Sequence, residues 1–110
     1  MGTVSWSWEA NVKPGKLEAF INQVVGPWKT VAEADKDTLL SQWVVDETGV
    51  SVKVYQRFSS ATSALSQFES NDYWKKLDDY LEPTGMYVSG DYGVELDFLR
   101  EHGATFMLEV

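Results

Sequence analysis

Cysteine and histidine, the residue types best suited to nucleophilic and acid–base chemistry near neutral pH, are almost absent from this sequence of 110 residues. The absence of cysteine excludes thiolate nucleophiles, iron–sulfur clusters and cysteine zinc sites, and the single histidine argues against a histidine-rich metal site. That histidine, His102, precedes Gly103 at the end of a predicted helix, where a cation interacts favourably with the helix dipole. We therefore interpret His102 as a helix-end residue rather than a catalytic base.

Gln56 and Tyr73 are the two candidate catalytic residues. Gln56 interrupts the apolar face of a predicted strand, and a polar group there needs a protein partner, a water molecule or a ligand. Tyr73 could donate a hydrogen bond to a substrate oxygen or titrate as an acid, unless it is an ordinary surface or interface tyrosine. Neither side chain is a strong general base, so a bound substrate would have to be acidic itself.

Tryptophan is the most informative residue type in the composition. The chain has five Trp, five Tyr and five Phe, which make up 14% of its residues. Trp6, Trp8, Trp43 and Trp74 are predicted to face the layer between the sheet and the helices. There they form either flat walls for a planar aromatic ligand, each with one indole N–H donor, or a solid aromatic core. The sequence leaves both interpretations open.

The charge balance excludes two classes of partner. Nine basic and 17 acidic residues give a net charge of −8 and a pI near 4.4, which would repel nucleic acid phosphates and anionic lipid headgroups. No apolar run approaches 18 residues, and the first residues have neither a basic nor an apolar signal region. We expect a protein of the cytoplasm, with no nucleic acid or membrane partner.

The first half of the chain alternates between strand and helix patterns. Apolar residues at every second position predict a strand over 4–12, and steps of three and four predict a helix over 17–31. Gly26-Pro27 falls inside the helical pattern, so we expect one helix kinked near residue 26, with two short helices as the alternative. Residues 38–46 and 50–58 are predicted to form a hairpin whose turn uses Gly49.

The second half predicts two more helices and two more strands. Ser59 and Ser60 are candidate N-caps for a helix. The segment Ser70-Asn71-Asp72 can cap a continuation of this helix as far as Leu81, where Pro83 and Gly85 stop it. The remaining predicted elements are a strand over 86–92, a short helix over 94–102 ending at Gly103 and a terminal strand over 104–110.

This order predicts a single α+β domain over residues 1–110. Its core is the ferredoxin-like βαββαβ motif with an antiparallel sheet, followed by an extra C-terminal helix and strand. Helices on one face leave the other face of the sheet bare. A second copy of the chain would cover that face and close a dimeric α+β barrel, so we expect a homodimer.

Nearly the whole chain resembles the antibiotic-biosynthesis-monooxygenase-like domains of the dimeric α+β barrel superfamily. The resemblance rests on the order and spacing of VKPGKLEAF, SQWVVDETGVSVKVYQRF, ATSALSQFESNDYWKKL and SGDYGVELDFLREHGATF. It implies a small dimer with a pocket between the sheet and the helices of each subunit. Some members are cofactor-independent monooxygenases of polycyclic phenols or quinols, whereas others degrade haem, act as isomerases or have no known activity.

The chain departs from the pattern of this family at several positions. Many relatives read Glu-Arg-Tyr where this chain has Gln56-Arg57-Phe58, and Gln56 cannot act as the general base that a glutamate could be. Histidines of many relatives correspond to Phe68 and Tyr73. In haem-degrading relatives a pocket Trp corresponds to Phe68, the axial His falls near Asp78 and a pocket Asn falls near Trp8. A carboxylate is a poor substitute for a proximal imidazole, which argues against haem degradation.

The leading hypothesis is a cofactor-independent monooxygenase that acts on an electron-rich aromatic such as a phenol, quinol or anthrone. It needs no cofactor and no metal, because the substrate supplies the electrons to O₂. The expected substrate-binding residues are Trp6, Trp8, Trp43, Phe68 and Trp74. The alternatives are a non-catalytic small-molecule-binding or regulatory protein of the same fold, and a proton-shuffling isomerase.

Overall fold

The computed structural model describes residues 2–110 as a five-stranded sheet with helices packed on one face. The strands are β1 (Val4–Val12), β2 (Thr38–Val45), β3 (Ser51–Phe58), β4 (Leu81–Gly90) and β5 (Ala104–Met107). The α-helices are α1 (Leu17–Phe20), α2 (Gly26–Ala34), α3 (Ala61–Ser70) and α4 (Tyr73–Lys76), joined by a π-helical turn (Ile21–Val25) and two 3₁₀ helices (Leu77–Asp79 and Val94–His102). The element order confirms the predicted βαββαβ core with its C-terminal addition.

The strand order in the sheet is β2-β3-β1-β4-β5. The first four strands pair antiparallel, as expected for the ferredoxin-like motif. The extra C-terminal strand differs from the four core strands, because β5 pairs parallel to β4. The 3₁₀ helix Val94–His102 lies between these two strands in the chain and carries it back across the sheet, so β5 runs in the same direction as β4.

Residues 17–34 form one continuous helical segment with a π-helical turn in its middle, which confirms the predicted irregularity near residue 26. The backbone N–H of Gly26 bonds to the carbonyl of Ile21, five residues earlier. Pro27 has no N–H to continue the α-helical pattern, and the wide turn accommodates this loss. The apolar stripe continues through the turn, so Phe20, Val24 and Trp28 all lie buried against the sheet.

Asp46 organises the turn of the β2–β3 hairpin. Its carboxylate accepts hydrogen bonds from the backbone N–H groups of Val50 and Ser51, each at 2.9 Å, and from the Thr48 hydroxyl. Gly49 has the positive φ of 74° that the turn requires. The hydrogen bond from Thr48, followed by the one from Ser51, lowers the pKa of Asp46 from 3.8 to about 2.

This lowered pKa makes the hairpin sensitive to acid. The folded state holds Asp46 ionised more strongly than the unfolded state does, so its stabilisation is fully present above about pH 4 and is lost as the pH falls towards 2. We expect Asp46→Asn to lower the free energy of unfolding at pH 7, and the difference from wild type to shrink between pH 4 and pH 2. Urea unfolding across this range measures it, with Glu47→Gln as the control. A difference independent of pH would contradict this assignment.

The chain enters β4 earlier than the sequence predicts. Ser60 caps α3 as expected, accepting a hydrogen bond from the backbone N–H of Ser63 at 3.1 Å. However, the 3₁₀ helix Leu77–Asp79 ends two residues before β4 starts at Leu81, so Pro83 and Gly85 lie inside a strand rather than at the end of a helix.

A β-bulge explains this difference. Gly85 lies opposite Glu9 and Pro83 lies opposite Ala10, so Thr84 is the extra residue of β4. A bulge tolerates a proline, which cannot donate to the strand ladder, and pairing with the long central strand β1 compensates for the poor strand propensity of both residues. Bulges also bend a sheet locally. The bulged residues Pro83, Thr84 and Gly85 border a groove between β4 and the helices.

Candidate functional site

An aromatic cluster fills most of the space between the sheet and the helices. Trp28 on α2 occupies its centre, with its ring centroid 4.9 Å from those of both Trp43 and Trp74. Trp8 packs against the same three rings at 5.6–6.4 Å. The layer expected to hold a ligand is therefore largely solid, and a small void of about 10 Å³ is left beside Trp6 and Gln56.

Gln56 has a protein partner in this layer. The indole N–H of Trp6 donates to Gln56 Oε1 at 2.6 Å, and the two side chains are 2% and 3% exposed. The buried amide oxygen is thus satisfied by a neighbouring strand, since Trp6 lies directly opposite Gln56 in the β1–β3 pair. Its polarity on an apolar face needs no ligand to explain it.

A groove of about 570 Å³ opens between β4, helices α3 and α4 and the 3₁₀ helix Val94–His102. This volume lies in the range of small-molecule sites. Most of its walls are apolar side chains, namely Trp8, Phe68, Trp74, Leu77, Leu81, Met86 and Leu99. The charged and polar side chains that border it are Glu9, Glu69, Asn71, Lys75, Asp78, Thr84 and His102.

The groove brings together three of the predicted site residues, Trp8, Phe68 and Trp74. Their rings form a continuous wall, with centroids 5.8 Å apart for Trp8 and Trp74 and 5.0 Å apart for Phe68 and Trp74. The other four lie elsewhere. Trp6 and Gln56 border the small void, Trp43 donates to the Ser41 hydroxyl at 3.1 Å, and Tyr73 stacks on Trp28 with centroids 6.0 Å apart.

Two buried hydrogen-bond donors belong to side chains that line this groove and have no acceptor on the protein. They are the indole nitrogen of Trp8 and the amide nitrogen of Asn71, whose side chains are 6% and 7% exposed. The Asn71 amide is oriented by its oxygen, which accepts a hydrogen bond from the backbone N–H of Tyr73 at 2.8 Å. An unpaired buried donor costs about 1–3 kcal/mol, which a ligand oxygen could recover.

Sequence reasoning missed Asn71 and His102 as groove residues. Asn71 was interpreted only as a helix cap, since Asn between two helical patterns is common in that role. His102 was assigned to a helix end. The sequence nevertheless contained a signal for the position of His102. This residue follows Leu96 and Leu99 in steps of three, which is the repeat of a 3₁₀ helix. That spacing places His102 on the same side as two buried leucines.

The described residues 2–110 contain no group of three His, Asp or Glu side chains placed to hold a metal ion. Within the same residues, no helix is long and apolar enough to cross a membrane.

Comparison with known proteins identifies the fold. No protein-family model and no curated protein matches the sequence. Among solved structures, MupZ from Pseudomonas fluorescens superposes with a TM-score of 0.80 at 15% identity, covering 98% of this chain and 90% of the other. Two candidate antibiotic biosynthesis monooxygenases are also similar.

The first of these, from Nitrosomonas europaea, has a TM-score of 0.63 at 15% identity and covers 84% of this chain and 90% of its own. The second, from Chloroflexus aurantiacus J-10-fl, has a TM-score of 0.60 at 11% identity. The superposition covers 78% of this chain and 89% of the other. The chain therefore has the fold of the antibiotic-biosynthesis-monooxygenase-like proteins, as the sequence predicts. At these identities the likeness concerns the fold alone.

Proposed function

We propose that the groove binds a planar, electron-rich aromatic compound bearing a phenol, quinol or ketone oxygen, and that the protein oxidises this compound with O₂ without a cofactor. The observation that carries the proposal is the pair of buried donors, Trp8 Nε1 and Asn71 Nδ2, on side chains that line an otherwise apolar groove. Donors without a protein acceptor suit the oxygen of a ligand, and the wall of Trp8, Phe68 and Trp74 suits its rings.

The chemistry follows from what such a substrate can do. Loss of the phenolic or enolic proton gives an oxyanion, which the two N–H groups stabilise. The anion reacts with O₂ to form a hydroperoxide on a ring carbon, which reduces O₂ by two electrons. Cleavage of the O–O bond, as that carbon loses its remaining hydrogen, takes two further electrons from the substrate and leaves one oxygen atom bonded to the carbon. For an anthrone-type substrate the methylene carbon becomes a carbonyl, and its two hydrogens leave with the second oxygen atom as water. The apolar walls exclude bulk water from the reactive anion.

Oxygen consumption by the metal-free protein tests this proposal. The panel contains anthrones and naphthoquinols, with heat-denatured protein as the control for autoxidation. We expect uptake proportional to protein concentration, with one O₂ consumed for each quinone formed. If no substrate in the panel gives uptake above the control, the proposed oxygenase activity is wrong.

A non-catalytic binding protein is the second candidate function. It is favoured by one observation, namely that neither Gln56 nor Tyr73 lines the groove. Quenching of tryptophan fluorescence by the same compounds, with no turnover, would support this candidate. Turnover in the absence of O₂ would instead indicate a proton-shuffling isomerase.

A second copy of this chain is the proposed partner of the bare sheet face. Leu40, Val44, Tyr55 and Tyr87 lie on that face, between 36% and 44% exposed, and no element within residues 2–110 covers them. Four large apolar or aromatic side chains on one flat surface are typical of an interface between subunits. Burying them against an identical face would form the closed barrel that the sequence predicts.

Light scattering at micromolar concentration tests the homodimer. We expect a molar mass of twice 12.4 kDa for the wild type. Tyr55→Asp should shift the mass to that of a monomer, because it places a charge in the centre of the apolar surface. Val31→Asp changes an equally exposed residue on α2, away from the sheet face, and should leave the dimer intact. A monomeric wild type would overturn the proposed dimer.

A further inference from the structure

We infer that His102 is the general base that removes the acidic O–H proton of a ligand bound in the groove. The inference rests on the proposed function, which leaves the proton acceptor unassigned. In the step, the O–H bond of the ligand breaks and its proton moves to an imidazole nitrogen. The electron pair stays on the ligand oxygen as a phenolate or enolate, beside the donors of Trp8 and Asn71.

The position of His102 supports this role. Its ring borders the groove from the end of the 3₁₀ helix, next to Phe68 of the aromatic wall. It contacts Phe68, with ring centroids 6.4 Å apart, and Phe98, edge-on at 6.1 Å. Phe68 in turn contacts Trp74, so the imidazole belongs to the same aromatic surface that would hold the ligand's rings.

The other titratable groups on the groove suit this role less well. They are Glu9 from β1, Glu69 from α3, Lys75 from α4 and Asp78 from the turn that follows α4. Glu9 pairs with Lys53 at 3.7 Å. A protonated lysine cannot accept a proton, and an exposed carboxylate is a weaker base than imidazole near neutral pH. His102 is therefore the groove residue whose chemistry matches proton abstraction at that pH.

The chain's single histidine allows a direct test by NMR. His102 gives one set of imidazole signals, which can be followed by pH titration without assignment experiments. The probe is a hydroxyanthrone, added under argon so that no oxidation consumes it. Quenching of tryptophan fluorescence reports in parallel whether the probe binds at all.

The direction in which the pKa of His102 changes on binding distinguishes a general base from a side chain that only lines the groove. If His102 accepts the probe's proton, the remaining anion stabilises the imidazolium and the apparent pKa of His102 rises on binding. If the rings of the probe merely cover the imidazole, desolvation lowers that pKa. Binding with a lowered or unchanged pKa would overturn the role of His102 and leave the proposed binding site standing. Absence of fluorescence quenching would overturn both proposals.

Kinetics of two variants give an independent readout. We expect His102→Gln to lower kcat/KM for the hydroxyanthrone about 100-fold and to abolish the acid limb of its pH profile. Glu101→Gln removes the neighbouring charge without touching the groove and should behave as wild type. An acid limb that persists in His102→Gln would belong to Glu9, Glu69, Lys75 or Asp78 and would contradict the inference.

Discussion

Replacing Trp6 with alanine is expected to lower the free energy of unfolding by about 3–5 kcal/mol, the cost typical of removing a fully packed tryptophan. Trp6 is 2% exposed, and its ring lies 4.6 Å from Phe58 and 5.9 Å from Trp74. Its indole N–H is also the donor to Gln56, so truncation leaves a buried amide oxygen unpaired. Urea unfolding followed by far-ultraviolet circular dichroism measures the effect.

Milder variants keep this prediction testable if Trp6→Ala does not fold. Trp6→Phe retains most of the ring but removes the N–H, and we expect a loss of about 1–3 kcal/mol from the unpaired Gln56 oxygen. The double variant Trp6→Phe with Gln56→Leu removes both polar partners and should recover part of that loss. A loss below about 1 kcal/mol for Trp6→Ala would show that Trp6 is not part of a solid core.

Replacing Asn71 with aspartate is expected to weaken the binding of an oxygen-bearing aromatic probe by about 10–100-fold, or about 1.4–2.7 kcal/mol. Aspartate keeps the oxygen that accepts from the Tyr73 backbone, so the local turn is preserved. It replaces the unpaired amide donor with a carboxylate oxygen, which repels the oxygen of the ligand. Titration of tryptophan fluorescence with anthraquinone measures the affinity.

Two controls separate the lost hydrogen bond from other effects. Asp72→Asn alters the charge of the adjacent residue, whose carboxylate pairs with Lys75 at the exposed start of α4. It should leave the affinity unchanged. Anthracene has the ring system without oxygen, and its affinity should change little in Asn71→Asp. Equal affinity of wild type and Asn71→Asp for anthraquinone would show that this amide faces the small void beside Gln56 and does not contact a ligand in the groove.

Local sequence patterns determined most of the elements. The alternation of apolar residues predicted β1 with its correct ends, because a half-buried strand requires a period of two whatever it packs against. The cap at Ser60 and the positive φ at Gly49 likewise follow from the chemistry of the residues themselves. The irregularity before Pro27 was predictable for the same reason, since a proline lacks its N–H in any context.

The start of β4 and the direction of β5 depend on tertiary contacts rather than on local sequence patterns. Pro83 and Gly85 are poor strand residues by local preference, yet pairing with β1 and the bulge at Thr84 place them in the sheet. The direction of β5 depends on the path of the preceding 3₁₀ helix, which the strand pattern itself does not encode. Long-range pairing can outweigh local propensity in this way.

Residue types and their spacing predict an aromatic-rich α+β fold, whereas the division of its aromatic residues between core and groove depends on tertiary contacts. Trp6 and Trp8 are the same residue type on the same face of β1. Trp6 is packed against the rings of Phe58, Phe68 and Trp74, whereas Trp8 borders the groove next to β4. Asn71 and His102 also border the groove, but Asn71 lies between α3 and α4 whereas His102 ends the 3₁₀ helix Val94–His102. Whether an aromatic side chain is packed in the core or lines a groove depends on the distant side chains that contact it. Periodicity along one element carries no information about those neighbours.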